Sequence, residues 1–453
     1  MKKIAKFIVL NRKVLIIIYA VLVILSIFGS IATKSNYDII SYMPESLNSI
    51  KGDLLIREHF GLTNDGILVI DNYDIAIVSS IKKQIENING VKNVLWVDDI
   101  ADITVPVNFL PDELQKQFFS KNATLLTVEF NSDLEIEEKT RSIEEIKKIA
   151  GKDALFGGEP VILSELQQKT KKETLVYTII AIIISYIVLS YMLKSFLTPL
   201  ILLIATGSAI ILNMGTNVFK DSISFLTLSV APIMQLAISA DYAIFLLDRY
   251  EEEKNEKISI YRSMTSALVK STMPILSSAL TTIAGFISLM FMRNGIGVDL
   301  GFVLCKGIIF SLITNFTLLP CLIILFNTLI ENHKMNFGSL SFVGSSNWIL
   351  RWKWLILAVI LIVSVPAFIA QKNISYYLSY EKQLNPESLS IRDTQRIKTY
   401  FNVKEPIYVI TKDEGNLKEN QFVEKLNTSQ YIESVNCFTN SIDNIIPETF
   451  IPD

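Results

Sequence analysis

Ile238-Ser239-Ala240-Asp241-Tyr242-Ala243-Ile244-Phe245-Leu246-Leu247-Asp248-Arg249-Tyr250-Glu251-Glu252-Glu253 is the stretch on which the reading of this chain turns. It begins inside a long apolar run and leaves it through a charged end. Asp241 lies six residues before Leu247, roughly 9 Å along a helix. A carboxylate at that depth is costly unless it is paired, hydrated or protonated. One reading is an interfacial Asp that reaches water at the helix end. The other is a protonatable group in a transport path.

The composition frames that choice. Half of the 453 residues are hydrophobic, too many for an ordinary soluble enzyme of this size. The net charge of −3 leaves no nucleic-acid footprint. His59 and His333 stand apart, which argues against a His-based metal site. Cys305 and Cys321 share an apolar helix about 24 Å apart along its axis, too far to bridge, and Cys437 is left alone. Walker A and dinucleotide glycine patterns are absent, so the expectation is no ATP-driven motor, no cofactor and no enzymatic chemistry.

Outward from the central stretch, the apolar runs count membrane spans. Lys2, Lys3, Lys6, Arg12 and Lys13 precede a run from Val14 to Ala32, which is long enough to cross a bilayer. Five runs follow a polar region: Thr174–Leu193, Leu197–Phe219, Ile223–Leu247, Thr272–Met292 and Gly301–Ile330. A seventh is Leu355–Ile369. Lys and Arg concentrate in alternate connections, which predicts a cytoplasmic N-terminus in the cell membrane. The expected division is 1–33 for the N-terminus and first helix, 34–170 for an extracytoplasmic domain and 171–330 for helices two to six. Then come a cytoplasmic connection at 331–352, the seventh helix at 353–370 and a second, incomplete domain at 371–453.

Within 34–170, apolar strand patterns at 66–71, 91–97, 125–130 and 154–156 alternate with helical patterns at 75–88 and 134–149. The order βαββαβ is that of a ferredoxin-like domain. An internal repeat follows. Pro44-Glu45-Ser46-Leu47 recurs as Pro386-Glu387-Ser388-Leu389, Ile67–Ile70 as Ile407–Ile410, and Phe109–Asp112 as Phe450–Asp453. Parallel duplicated halves are a transporter signature. The second copy supplies strand patterns at Ile407–Ile410 and Ile432–Phe438 and a helix at Asn416–Leu426, then stops. The expectation is the front part of a longer transporter, or a truncated product, in which 371–453 packs poorly by itself.

Ala240-Asp241-Tyr242 with Phe245, Arg249, Tyr250, Glu251 and Glu252 resembles the fourth-helix motif of MMPL-type (mycobacterial membrane protein large) members of the resistance–nodulation–division (RND) superfamily. Ser277 through Phe286 is similar to their fifth-helix motif, and Leu300-Gly301, Lys306-Gly307 and Leu318-Leu319-Pro320 to their sixth helix. The five-helix block is also similar to sterol-sensing domains. The resemblance implies an RND-like α-helical membrane bundle with extracytoplasmic α+β porter domains. It implies proton-driven export of lipids or other hydrophobic molecules, with membrane lipids, protons and a second half-transporter or another copy as partners. Asp241 and Tyr242 then form the proton relay, whose counterpart pair lies on a tenth helix. Ser277, Ser278, Thr281 and Thr282 are candidates for a polar path, set against ordinary small-residue helix packing. Tyr242 reads equally well as a core- or lipid-facing aromatic. Lys306 is expected to snorkel to the interface or to counter a carboxylate. Pro232 and Pro274 are placed to bend their helices. A lipid-sensing module and a membrane assembly factor are the alternative functions.

Overall fold

A polar backbone crosses hydrocarbon only if its hydrogen bonds close within the segment, which makes helices of the apolar runs. In the computed structural model, which describes residues 2–60, 65–71, 73–131, 134–254, 259–332, 348–374, 384–401, 408–410, 416–429, 432 and 435, they are helical. The chain starts with α1 (Lys2–Leu10), α2 (Arg12–Ala32) and the short strand β1 (Ser35–Asn36). Next come α3 (Asn48–Phe60), β2 (Gly66–Asp71), α4 (Ile75–Glu86), β3 (Val91–Leu95), α5 (Asp112–Phe118), β4 (Phe119–Ser120), β5 (Ala123–Phe130), α6 (Ile136–Ala150) and β6 (Leu155–Gly157). The long helices are α7 (Glu159–Met192), α8 (Leu197–Gly215), α9 (Phe225–Glu253), α10 (Ile260–Met290) and α11 (Gly295–Leu325), with β7 (Ile223–Ser224) just before α9. α12 (Asn327–Asn332), α13 (Lys353–Gln371), α14 (Leu389–Phe401) and α15 (Asn416–Asn427) follow.

Seven helices among the described residues, α2, α7 to α11 and α13, are long and apolar enough to span a membrane. α8, in the span 197–219, and α11 are half or more buried over their apolar windows and form the centre of the bundle. α2 crosses α8 almost backbone to backbone: a Cβ on Gly29 would stand 2.4 Å from the Gly215 carbonyl oxygen. Small residues at such crossings let packing forces act where no hydrophobic gain is available. β1 and β7 pair in parallel, Ser35 with Ile223 and Asn36 with Ser224, and mark one end of the bundle.

By contact the chain divides into two units, Met1–Ile39 with Gln168–Lys382, and Ile40–Gln167 with Gln383–Asp453. The second unit is built on an antiparallel sheet in the order β3-β5-β2-β6. That is the ferredoxin-like arrangement, with β2 and β5, the first and third strands of the motif, in the middle. α4 and α6 cover one face, burying Val78, Ile85, Ile143 and Ile146 against Leu68, Leu126 and Val128. The other face is also covered, since Ile397 of α14 packs on Val69, Ala123 and Leu125. A strand buried on both faces has no polar alternation, hence the unbroken run Ile67-Leu68-Val69-Ile70. Gly157 permits the close approach of α14, because a Cβ there would sit 2.7 Å from Thr394 Oγ1.

Several boundaries differ from expectation. α7 is one helix from Glu159, so the polar residues before Thr174 continue the span as a stalk. Asp299 lies inside α11 and not in a connecting loop. Residues 408–410 carry no strand, while Ile407 and most of 432–438 lie outside the described residues.

Lys82 of α4 is 5% exposed and donates at 2.7 Å to both Asp98 and Asp99. Burial alone would lower its pKa, but the hydrogen bonds and charges of the two carboxylates outweigh that and hold it above the ordinary 10.5. Lys82→Met is expected to destabilise the sheet by about 2–3 kcal/mol, less than a fully buried pair because both carboxylates keep some water. Hydrogen exchange of the 123–130 peptide in the full-length protein measures this. The raised folded value means that the wild-type contribution is complete below 10.5 and is lost as pH rises through it. Protection should therefore fall at alkaline pH in wild type, and in Lys82→Met already be low at neutral pH.

Candidate functional site

α9 carries a polar row inward and an exposed, mixed stripe outward. At 100° per residue, Thr227, Gln235, Ser239 and Tyr242 share a face, and all four are at least 96% buried. Val230, Ala237, Asp241, Phe245 and Asp248 form an exposed stripe on the other side. Asp241 therefore points away from the helices of this chain, against the expectation of a buried carboxyl. The reason is helix phase: the inward row is pinned to α11, and the next residue after a buried position turns out of the bundle.

The pinning is a ladder of hydrogen bonds. The Ser224 backbone N–H donates to Asp299 Oδ2 at 2.9 Å. Gln235 Nε2 donates to the Gly307 carbonyl at 3.0 Å and to Ser311 Oγ at 3.2 Å. Asn315 Nδ2 donates to the Ser239 carbonyl at 3.1 Å, and the Tyr250 hydroxyl to Asn327 Oδ1 at 3.1 Å. The sequence offsets are 75, 72, 76, 76 and 77, so α9 and α11 run parallel in nearly constant register. From Asp299 to Asn327 the ladder extends roughly 40 Å, a full bilayer with headgroups. Asn213 of α8 joins it, donating to Gln235 Oε1 at 2.8 Å and to the Val303 carbonyl at 3.1 Å.

Asp241 and Tyr242 are adjacent on α9 but diverge, Asp241 exposed and Tyr242 buried. The Tyr242 hydroxyl is buried without a hydrogen-bond partner. Thr282 donates its own proton to the Ser278 carbonyl at 3.1 Å, which leaves its oxygen able to accept. Ser277 and Thr281 likewise donate to carbonyls one turn back, at 2.8 and 3.1 Å, the usual way hydroxyls are satisfied on a helix in apolar surroundings. Ser277, Ser278 and Thr281 are exposed on α10 and do not join Tyr242. Lys306 finds an amide and not a carboxylate: it donates to Asn217 Oδ1 at 2.6 Å. Neighbouring Lys220 takes the carboxylate, pairing with buried Asp299. Pro232, Pro274 and Pro320 lie inside α9, α10 and α11.

A sequence model of the MMPL family matches residues 75–354, well over half of the chain. MJ1562, a membrane protein of Methanocaldococcus jannaschii, is 24% identical over 371 residues, 72% of this chain and 93% of its own length. YdgH, a membrane protein of Bacillus subtilis, is 24% identical over 453 residues, 92% of this chain and 48% of YdgH. The hopanoid transporter HpnN of Rhodopseudomonas palustris is 22% identical over 211 residues, 46% of this chain and 23% of HpnN. The aligned region thus takes in most of the first relative and half or less of the other two.

Asp299 is 4% exposed, and its charge is balanced by Lys220. Lys220→Met is expected to cost about 2–3 kcal/mol, because it strands a buried carboxylate, less than a fully buried pair since the Lys220 side chain keeps some water. Lys220→Met with Asp299→Asn should recover much of that loss. Thermal unfolding of the purified protein in detergent, read as a double-mutant cycle, measures the coupling.

Proposed function

Because the chain belongs to the MMPL family of RND-superfamily transporters, we propose that it takes part in proton-driven export of lipids or other hydrophobic molecules across the cell membrane. Asp241 is the group that gains and loses the proton, and Tyr242 passes or stabilises it. The observation that carries this reading is the Tyr242 hydroxyl, buried and without a hydrogen-bond partner, on the residue next to an exposed Asp241 within a membrane-spanning helix. A hydroxyl can accept one proton while donating another, which a Phe at that position could not do. That HpnN is a hopanoid transporter supports a hydrophobic substrate.

The outward stripe of α9 sets a second condition. A carboxylate facing hydrocarbon alone is costly, so Asp241 calls for a polar partner surface. A second helix set, from a longer chain or from another copy, would supply it and place the substrate path between equivalent halves. The N-terminus lies on the cytoplasmic side in this reading, since the Lys- and Arg-rich connections follow α1, α7, α9 and α11.

Moving one charge through 100 mV is worth about 2.3 kcal/mol, roughly a 50-fold bias on a two-state cycle. Asp241→Asn keeps the shape and removes the protonatable group. Reconstituted with its partner half, it is expected to lose gradient-driven transport to background while keeping wild-type thermal stability. Tyr242→Phe should slow transport strongly. Parental transport by Asp241→Asn would refute the relay.

Orientation is checked separately in a cysteine-free variant. Asn122→Cys should react with an impermeant thiol reagent added to intact cells, and Glu252→Cys should react only after the membrane is opened. The opposite pattern would invert the topology.

A further inference from the structure

α1 is not the start of the first span. Asn11 interrupts the helix, and α1 packs on α10 and α11 at the end of the bundle opposite β1 and β7. The Cys321 thiol of α11 donates to the Ile8 carbonyl at 3.7 Å. The Arg12 guanidinium donates to the Tyr261 hydroxyl of α10 at 3.1 Å and lies 4.9 Å from the centroid of that ring.

Held there, Lys2-Lys3-Ile4-Ala5-Lys6-Phe7-Ile8-Val9-Leu10 sorts into three faces. At 100° per residue their centres stand roughly 120° apart. Ala5, Ile8 and Val9 make the first face and are buried in the bundle. Ile4 and Phe7 make the second, each more than half exposed. Lys2, Lys3 and Lys6 make the third, also exposed. Leu10 falls between Lys3 and Lys6, beside the turn into α2. A helix of nine residues is too short to persist in water by propensity. One face on protein, one apolar and one cationic fit a helix lying in the plane of a bilayer surface.

The charge is one-sided. Residues 1–37 contain no Asp or Glu. At the same end of the bundle Glu252 pairs with Arg249, Glu253 with Lys270 and Glu331 with Lys254. Among the described residues no carboxylate pairs with Lys2, Lys3 or Lys6.

We propose that α1 binds the anionic phospholipids of the leaflet on its own side of the bundle. Ile4 and Phe7 enter the acyl boundary. The Lys2, Lys3 and Lys6 ammonium groups reach lipid phosphates while their stems lie along the helix. Lys13, exposed at the start of α2, adds a fourth charge. Arg12 adds none, because its guanidinium is spent on Tyr261. Each Lys at an anionic surface contributes attraction that salt screens. Lipid bound on the two outer faces presses the third onto α10 and α11, so α1 is a lipid-dependent clasp over those helix ends. Asp241 has no part in it.

The full chain is placed in nanodiscs of phosphatidylcholine with or without phosphatidylglycerol, and hydrogen exchange of the 2–10 peptide is followed. Phosphatidylglycerol should slow that exchange at least about tenfold. Molar salt should abolish the difference, and the 201–212 peptide of α8 should show none. Combined Lys2→Gln, Lys3→Gln and Lys6→Gln should exchange alike in both discs, whereas Lys→Arg at the same three positions should keep the wild-type difference. Equal wild-type exchange in the two discs would overturn the proposal, whether or not the glutamine variant folds. Inorganic phosphate added to phosphatidylcholine discs should change nothing; protection equal to that of phosphatidylglycerol would assign the lysines to a soluble anion and overturn the lipid. Depth is read separately with Cys305→Ala, Cys321→Ser and Cys437→Ala, in which a hydroxyl keeps the bond to Ile8. A nitroxide at Phe7→Cys should collide mainly with oxygen, and one at Lys6→Cys mainly with a water-soluble nickel chelate. Equal nickel access at both would overturn the placement of α1 in the leaflet.

Discussion

The hydrogen-bond ladder between α9 and α11 is the interaction on which the membrane unit depends. Amides and hydroxyls carried into hydrocarbon must be satisfied by protein, and here two parallel helices satisfy each other at an almost fixed offset. The ladder sets the rotation of α9. With Gln235 and Ser239 turned to α11, Tyr242 is turned inward and Asp241 outward, because neighbouring helical residues diverge by about 100°. The Asp–Tyr pair therefore stands astride the bundle surface, with its hydroxyl in protein and its carboxyl exposed.

The sheet unit answers to a simpler demand. A ferredoxin-like sheet with helices on one face leaves the other to be covered, and α14 covers it. α14 begins at Leu389 of Pro386-Glu387-Ser388-Leu389, much as α3 begins directly after Pro44-Glu45-Ser46-Leu47. Ser390 N–H to Glu165 at 2.8 Å and Ser120 Oγ to the Tyr400 carbonyl at 2.6 Å fasten it at both ends. Residues 389–401 thus belong to the same packed unit as the sheet.

Most of the architecture was readable in the sequence. Seven apolar runs became seven helices, and the βαββαβ order gave the observed strand order, because period and length follow directly from residue type. The residue types of Asp241 and Tyr242 were also readable. The direction of Asp241 was not, because helix phase depends on what Gln235 and Ser239 meet on α11. The ladder left a trace: Gln235, Ser239 and Tyr242, and likewise Ser311 and Asn315, recur at helical spacing inside apolar runs. Each of these polar residues taken singly forms no motif. The stalk of α7 escaped notice because polarity changes at Thr174 while the helix does not. Lys306 read as snorkelling to the interface or countering a carboxylate, and only the folded position of Lys220 shows that Asp299 is already taken.

The central claim is that Asp241 changes protonation within the membrane unit. Infrared difference spectroscopy on the reconstituted protein, with a pH step imposed across the vesicles, observes that change at the carboxyl group itself. The account predicts a protonated-carboxyl C=O band that appears with the step, shifts in Tyr242→Phe and is absent in Asp241→Asn. A band of unchanged position and intensity in Asp241→Asn would contradict it, and would assign the proton to another group.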